Sequence, residues 1–268
     1  MNNVFAAELL EHVRKNKPLV HNLTNTVVTN FTANGLLALG ASPVMADAVE
    51  EAADMAKIAG AVVLNIGTLT ASKVDAMILA GKAANEAGVP VLFDPVGAGA
   101  TPYRTESAKR ILAEVNVDIL RGNAGEIAVL CGQSVQVKGV DGGGNANVRH
   151  LAKEAEKMLG VTCVITGAED VVAGNESFII QNGDPILTSV TGTGCLLGSV
   201  IASFCAVEKN YAKAAAAALI FYGVAAERAV ETSGPNRPGT FATAFLNELS
   251  LTGRDEIIQQ AKWEEWKQ

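Results

Sequence analysis

Hydrophobic residues occur in short runs rich in β-branched side chains, and these runs alternate with longer patterns of helical period. The runs cover residues 62–66, 89–94, 117–120 and 161–166, and the helical patterns cover 74–87, 108–115, 124–130 and 150–159. Runs without polar alternation are typical of strands that are buried on both faces. The pattern therefore predicts an α/β fold with a central, mostly parallel sheet and helices on both faces.

The pattern changes after residue 170. Runs at 171–173, 177–180 and 185–190 are separated by Gly174-Asn175 and by residues 182–184, which are hairpin-turn signals. We expect three strands there, forming an antiparallel edge. From residue 195 onward the pattern is nearly all helical, with one Gly/Pro-rich break at 234–239. Residues 212–230 are expected to form a buried helix, in which the alanines 214–218 make a close helix–helix contact.

Three other stretches have simpler interpretations. Gly142-Gly143-Gly144 lacks the Lys-Ser/Thr of a phosphate loop and is expected to be a surface loop. The charged tail 262–268, with Trp263 and Trp266, is expected to pack along one face of the last helix. No repeat or linker-like stretch divides the chain, so we expect one domain over residues 1–268.

Composition limits the possible partners. The formal net charge is −7 and aromatic residues make up 5% of the 268 residues, which argues against nucleic-acid and anionic-membrane binding. The four cysteines form no CxxC pair, so neither a zinc site nor a disulfide framework is indicated. Residues 1–11 lack the features of a signal peptide. We therefore expect a cytoplasmic protein.

Polar residues follow the predicted strands where ligands bind in open α/β sheets. Asp94 is followed by a glycine-rich loop, which suits Mg²⁺ and phosphate, although it could simply cap a turn. Arg121 can contact phosphate. Asn123 and Glu126 could organise Mg²⁺ or form a capping box. Thr166 and the glycine after it could bind a nucleotide or form an ordinary β-turn.

A glycine turn precedes the helical pattern that begins near residue 195. Gly192, Thr193 and Gly194 would direct backbone N–H groups and a helix N-terminus at one point, which suits an anion. Cys195 lies beside this point, and a helix N-terminus is expected to lower its pKa. The alternative is a tight turn with a small buried cysteine. Taken together, the strand ends favour phosphoryl transfer with a metal ion.

The chain resembles the hydroxyethylthiazole kinases, which belong to the ribokinase-like superfamily. The resemblance covers the chain in order, through residues 19–25, 30–45, 94–101, 121–126 and 191–195. It implies that ATP phosphorylates the primary alcohol of 4-methyl-5-(2-hydroxyethyl)thiazole with Mg²⁺, a step of thiamine salvage. It also implies a homotrimer with active sites between neighbouring subunits.

The resemblance assigns a role to each candidate residue. Arg121 and Thr166 would contact ATP, Asp94 and Glu126 would serve Mg²⁺ and phosphate, and Met45, Gly192 and Asn25 would lie on the thiazole side. Cys195 would be the catalytic residue, because it stands where many ribokinase-like enzymes carry Asp. Met45 could otherwise be a core residue.

Two related activities and a binding function stay open from the sequence. A kinase of the same superfamily acting on a hydroxymethylpyrimidine would use the same motifs. A nicotinamide-nucleotide-hydrate dehydratase shares the fold but usually keeps the Asp, so Cys195 argues against it. A non-catalytic nucleotide sensor would not need Asp94, Arg121, Glu126 and Cys195 together.

Overall fold

A computed structural model describes residues 1–133 and 145–266. In this part of the chain, nine strands form one sheet in the order β2-β1-β3-β4-β5-β6-β7-β8-β9. The strands are β1 Leu19–Leu23, β2 Ser42–Val44, β3 Ala61–Asn65, β4 Val91–Asp94, β5 Ile119–Asn123, β6 Thr162–Thr166, β7 Asp170–Ala173, β8 Ser177–Ile180 and β9 Trp263–Glu265. β1 to β6 pair in parallel, and β7 to β9 extend the sheet antiparallel. The predicted fold class is confirmed.

Helices cover both faces of the sheet. They are α1 Asn3–Asn16, α2 Thr29–Leu39, α3 Ala52–Ile58, α4 Ala71–Ala87, α5 Pro102–Glu114, α6 Ala124–Leu130, α7 Asn145–Leu159, α8 Thr193–Cys205, α9 Tyr211–Ser233, α10 Pro238–Leu251 and α11 Arg254–Gln260. α1, α2 and α8 to α11 contribute to one core, and α3 to α7 contribute to the other.

The sheet separates these two cores because strand side chains alternate between its faces. In β3, Val63 belongs to one core, whereas Val62 and Leu64 belong to the other. All five β3 residues are buried, as the continuous apolar runs predict. The alanines 214–218 are also fully buried, within α9, so the predicted close packing of this helix is confirmed.

One predicted strand is wrong. Residues 185–190 are rich in β-branched side chains, but the structure has a 3-10 helix at Pro185–Ser189. Pro185 cannot donate a ladder hydrogen bond, and the Asp184 side chain accepts from Ile186 N at 2.9 Å, which starts the turn. The predicted hairpin turn at 182–184 is therefore wrong too, whereas the turn between β7 and β8 is confirmed.

The tail also differs from its prediction, because it continues the sheet instead of packing on the last helix. Trp263 opens β9, which pairs antiparallel with β8. Its ring lies edge-on to Phe178 at a centroid distance of 5.9 Å, and its Nε1 donates to Asn3 Oδ1 at 2.7 Å. These contacts link the two ends of the chain. The predicted loop 142–144 lies outside the described residues.

Within residues 1–133 and 145–266, no helix combines the length and apolar character needed to cross a bilayer.

Candidate active site

The carboxyl ends of the central parallel strands bring three predicted site residues together. Asp94 ends β4, Arg121 lies in β5 and Thr166 ends β6. Arg121 Nη1 lies 3.3 Å from Asp94 Oδ2, and Arg121 Nη2 donates to Thr166 Oγ1 at 2.8 Å. A single guanidinium thus connects the predicted metal side of the site with its predicted nucleotide side.

Asp94 is almost completely buried, with 1% of its surface exposed. Burial raises the pKa of Asp94 to about 6, while the nearby Arg121 charge acts in the opposite direction. Asp94 Oδ2 is bonded to Arg121 and Asn65, but Oδ1 has no hydrogen-bond partner among the described residues. A buried carboxylate oxygen without a donor is a natural place for a cation or for water.

Glu126 forms a capping box with Asn123 at the start of α6. Glu126 Oε2 accepts from Asn123 N, and Asn123 Oδ1 accepts from Glu126 N, each at 2.9 Å. The capping box that the sequence analysis gave as the alternative to Mg²⁺ binding is therefore present. Glu126 Oε1 also accepts from Gly97 N at 2.8 Å, which fastens the glycine loop after β4. Each oxygen keeps acceptor capacity, so the capping box does not prevent a role near a metal ion.

The turn before α8 has the geometry of an anion site. Leu196 N makes the first intrahelical bond, to Gly192 O at 2.8 Å, so the N–H groups of Thr193, Gly194 and Cys195 lie at the open end of the helix. Gly192 has φ +96°, and a Cβ there would lie 2.8 Å from Val28 Cγ1. A glycine is needed at this position for both reasons.

Cys195 contacts Asn25, which lies just after β1. Asn25 Nδ2 donates to Cys195 Sγ at 3.3 Å and to Asn65 Oδ1 at 3.1 Å. Burial raises the pKa of Cys195, and the charge of Asp94 adds to that effect, although the hydrogen bond from Asn25 opposes it. The net shift is therefore upward, opposite to the direction expected from the helix N-terminus, and loss of solvent is its largest cause.

Two cavities meet at these residues. The larger measures about 650 Å³ and lies between β6, the 3-10 helix, α8 and α9; the smaller measures about 200 Å³ and contains Asp94, Glu126 and Cys195 in its lining. Arg121, Thr166 and Gly194 line both. Tyr222 borders the larger cavity and holds its wall through a hydrogen bond from its hydroxyl to Thr193 O at 2.6 Å.

Met45 lies further along the same sheet edge. It is half-buried and follows β2, the edge strand that pairs in parallel with β1. His21 in β1 is bonded through Nε2 to Ala46 O at 2.7 Å, which ties this loop to the sheet. Met45 thus follows the strand that neighbours β1, the strand before Asn25. Its contact with a substrate stays a prediction.

Two residues near the site were missed from the sequence. Asn65 reads as part of an apolar strand, yet it bonds to both Asp94 and Asn25. Arg104 in α5 donates to Ile66 O, Val96 O and Gly67 O, each at 2.8 Å, and so joins the loops after β3 and β4. A polar residue at the end of an apolar run was the available signal for Asn65.

Residues 10–254 match the model of the hydroxyethylthiazole kinase family. The structure is similar to that of a hydroxyethylthiazole kinase protein from Pyrococcus horikoshii OT3, with 43% identity, a TM-score of 0.91, and coverage of 98% of this chain and 99% of that chain.

More distant structures share the fold alone. A ribokinase-like superfamily protein from Enterococcus faecalis V583 matches with 13% identity and a TM-score of 0.64, covering 92% of this chain and 95% of that one. An ADP/ATP-dependent NAD(P)H-hydrate dehydratase from Bacillus subtilis matches with 19% identity and a TM-score of 0.57, covering 90% and 96%. Only the match over residues 10–254 and the 43% relative bear on the family. On that basis, this chain belongs to the hydroxyethylthiazole kinase family.

Proposed function

We propose that this chain, as one ribokinase-like domain, transfers the γ-phosphoryl group of ATP to the primary alcohol of 4-methyl-5-(2-hydroxyethyl)thiazole. Membership of the family, over residues 10–254, supports the activity and its place in thiamine salvage. One observation carries the assignment of the site: the open N-terminus of α8 lies where the two cavities meet, since Gly194 and Arg121 line both.

Charge on the transferring phosphoryl group would be stabilised by this chain's own donors. The N–H groups of Thr193, Gly194 and Cys195 lie at the helix end, and Arg121 lies beside them: a Cβ on Gly194 would come within 3.2 Å of its guanidinium. Such fixed donors supply a large share of phosphoryl-transfer catalysis. ATP would occupy the larger cavity, with its phosphates at Arg121 and Thr166.

The residues present fit Mg²⁺. Asp94 has a buried oxygen without a partner, and Glu126 shares the smaller cavity with it. Mg²⁺ is commonly held by one or two carboxylates, waters and substrate phosphates. In the described residues no group of three or more His, Cys, Asp or Glu could hold a metal ion. When bound, Mg²⁺ would neutralise phosphate charge.

The thiazole alcohol would lie toward Met45, Asn25 and Gly192. Asn25 contacts Cys195, and Cys195 lies in the first turn of α8, so a hydroxyl placed at the sulfur would face the anion site. The raised pKa of Cys195 keeps the thiol protonated near neutral pH, which supports a role in holding the alcohol in line rather than in removing its proton early. A loose transition state needs little early proton removal.

We also propose a homotrimer whose active sites lie between subunits. Val27 and Leu37 are 69% and 60% exposed, and Met45 follows the edge strand β2. Exposed apolar side chains next to a site for a small apolar ring favour completion of that site by a second copy. The four cysteines are all free, which supports a reducing, cytoplasmic setting.

A coupled assay of ADP formation tests this function. Three reactions contain the protein, ATP and Mg²⁺. They differ in the acceptor, which is the thiazole alcohol, a hydroxymethylpyrimidine or no alcohol. The thiazole alcohol should give ADP and the phosphorylated thiazole, and Arg121→Ala should abolish both. Turnover with the pyrimidine alone would support the related kinase, and no ADP with any alcohol would support a nucleotide sensor.

A further inference from the structure

Asn65 ends β3 with a buried side chain, 1% exposed, that makes hydrogen bonds in two directions. Its Nδ2 donates to Asp94 Oδ2 at 3.0 Å. Its Oδ1 accepts from Asn25 Nδ2 at 3.1 Å and from Gly67 N at 3.0 Å. The side chain therefore lies between the carboxylate of the site and the residue that contacts the thiol.

The partners determine which way the Asn65 amide points. If its oxygen and nitrogen were exchanged, the NH₂ group would face two donors, Asn25 Nδ2 and Gly67 N, and the oxygen would face the Asp94 carboxylate. Both contacts would be repulsive. Only the present orientation satisfies all three partners, so the amide is held in a single arrangement.

Asn65 also orients Asn25. The Asn25 amide nitrogen has two hydrogens and two acceptors, Asn65 Oδ1 and Cys195 Sγ at 3.3 Å. Gly67 allows the close approach, because a Cβ there would lie 2.7 Å from Asn25 Nδ2. With one hydrogen fixed by Asn65, the other can be directed at the sulfur.

We propose that Asn65 is a positioning residue that holds Asp94 and, through Asn25, Cys195 in a fixed mutual arrangement. Its catalytic meaning rests on the proposed kinase function. Asn65 itself would touch neither ATP nor the alcohol, and its loss would leave the metal carboxylate and the thiol independent of one another. Deeply buried polar networks of this kind are fully effective only when every member is satisfied.

A matched control lies on the neighbouring strand. Asn22 in β1 is also 1% exposed, but it bonds to Val20 O at 2.8 Å and accepts from Ser199 Oγ at 2.6 Å. Ser199 belongs to α8, the helix that carries Cys195. Asn22→Ala would thus remove a buried amide that contacts the same helix. It would leave the hydrogen bonds that connect Asp94 with Cys195 unchanged.

The first test needs no turnover. The rate at which iodoacetamide alkylates Cys195 is measured at one pH by peptide mass spectrometry in Asn65→Ala, Asn25→Ala and the double variant. The other three cysteines are buried. Both single variants should change the rate in the same direction by a similar factor, about threefold or more, and the double variant should match them. Asn22→Ala should stay within about twofold of the wild type.

An unchanged rate in Asn65→Ala, additive effects in the double variant, or the same change in Asn22→Ala would overturn the proposal. Asn65→Ser, whose hydroxyl is too short to bridge, replaces Asn65→Ala if thermal melting shows that the alanine variant is unfolded. Because this test does not use the alcohol, it decides on Asn65 even if the wild type fails to phosphorylate the thiazole.

The second test uses turnover. Asn65→Ala should lower kcat with the thiazole alcohol by about tenfold or more, while the Kd for ATP in calorimetry stays within about threefold. It should also increase ADP formed per phosphorylated thiazole, since a poorly placed alcohol lets water compete. A lower melting temperature with unchanged kcat and unchanged coupling would show a purely structural role and overturn the proposal.

Discussion

Arg121 Nη1 lies 3.3 Å from Asp94 Oδ2, and both side chains are largely buried, with 12% and 1% of the side chain exposed. A buried cation and anion held at this distance neutralise each other until a ligand with its own charges arrives. Arrival of phosphate and Mg²⁺ would give Arg121 a new anion and Asp94 a new cation. The pair is therefore suited to exchange its internal contact for ligand contacts.

Arg121→Lys is expected to lower kcat/KM for ATP by about tenfold to a hundredfold, although the charge is kept. The guanidinium contacts Asp94 and Thr166 at the same time, and a single ammonium cannot reproduce that fork. Steady-state kinetics with varied ATP measure the change. Lys109→Arg in α5, with an exposed side chain, is the control and should change neither parameter. Full activity of Arg121→Lys would contradict the bidentate role.

Activity should fall as the pH drops through about 6. Burial raises the pKa of Asp94 to about 6, so the carboxylate that would hold Mg²⁺ is present above that pH and is protonated below it. The effect should be visible as weaker Mg²⁺-dependent ATP binding at pH 5 than at pH 7, measured by calorimetry. Excess Mg²⁺ should partly restore binding at the lower pH, because the metal competes with the proton.

Asp170 needs a separate control, because burial also raises its pKa to about 6 and it lines the larger cavity. If Asp94 causes the loss of activity at low pH, Asp170→Asn should lose activity over the same pH range as the wild type. If the activity of Asp170→Asn does not change with pH, the loss is assigned to Asp170 instead.

The same shift has an opposite consequence for stability. A carboxyl group whose pKa is higher in the folded than in the unfolded state holds its proton more tightly when folded, so its contribution favours folding as the pH falls toward 5. Between pH 7 and 5, Asp94 should raise the free energy of unfolding by about 1 kcal/mol relative to Asp94→Asn. Urea titrations of both proteins at the two pH values measure the difference. An equal pH response in both proteins would contradict it.

The fold could be predicted from local patterns wherever burial alone decides. β3 and β4 are mostly apolar, so their burial could be predicted, and Asp94 at the end of β4 indicated where the site lies. β9 could not be predicted, because its three residues gain strand geometry only by pairing with β8, more than 80 residues earlier. The strand prediction for residues 185–190 was wrong for a local reason, because Pro185 and the Asp184 cap override a strong β propensity.

The candidate site residues could be chosen from the sequence one by one, but the hydrogen bonds between them could not. Each strand end presents one polar side chain, and parallel pairing brings Asp94 and Arg121 to the same edge. The role of Asn65 depends on which strands pair with β3 and on the position of Asn25 after β1. It could therefore be recognised only in the three-dimensional structure. The raised pKa of Cys195 likewise depends on burial, which the glycine turn does not reveal.

Gly194→Ala is expected to weaken ATP binding by about tenfold or more. Its Cβ would lie 3.2 Å from both Nη atoms of Arg121, so the guanidinium would have to shift by a few tenths of an ångström, which weakens its contacts with Thr166 and Asp94. Gly198→Ala, one turn further along α8, is a matched control because its Cβ would meet Leu92 Cδ2 and Asp94 Oδ2 at the ordinary distances of 3.4 and 3.8 Å and would not approach Arg121. Calorimetric Kd values compare the two, and equal weakening in both would place the effect in the helix rather than at Arg121.

Cys195 offers the sharpest test of the mechanism. Cys195→Ala should lower kcat by about tenfold to a hundredfold and leave the Kd for ATP unchanged, because the sulfur faces Asn25 rather than the larger cavity. Cys195→Asp should stay active, since a carboxylate can accept a hydrogen bond from the Asn25 amide and can also accept the hydroxyl proton of the alcohol. Cys195→Ser should lie between them if the group only positions the alcohol. A folded but inactive Cys195→Asp, checked by circular dichroism and ATP binding, would rule out proton acceptance at this position. Activity of Cys195→Ala equal to that of the wild type would remove Cys195 from the reaction altogether.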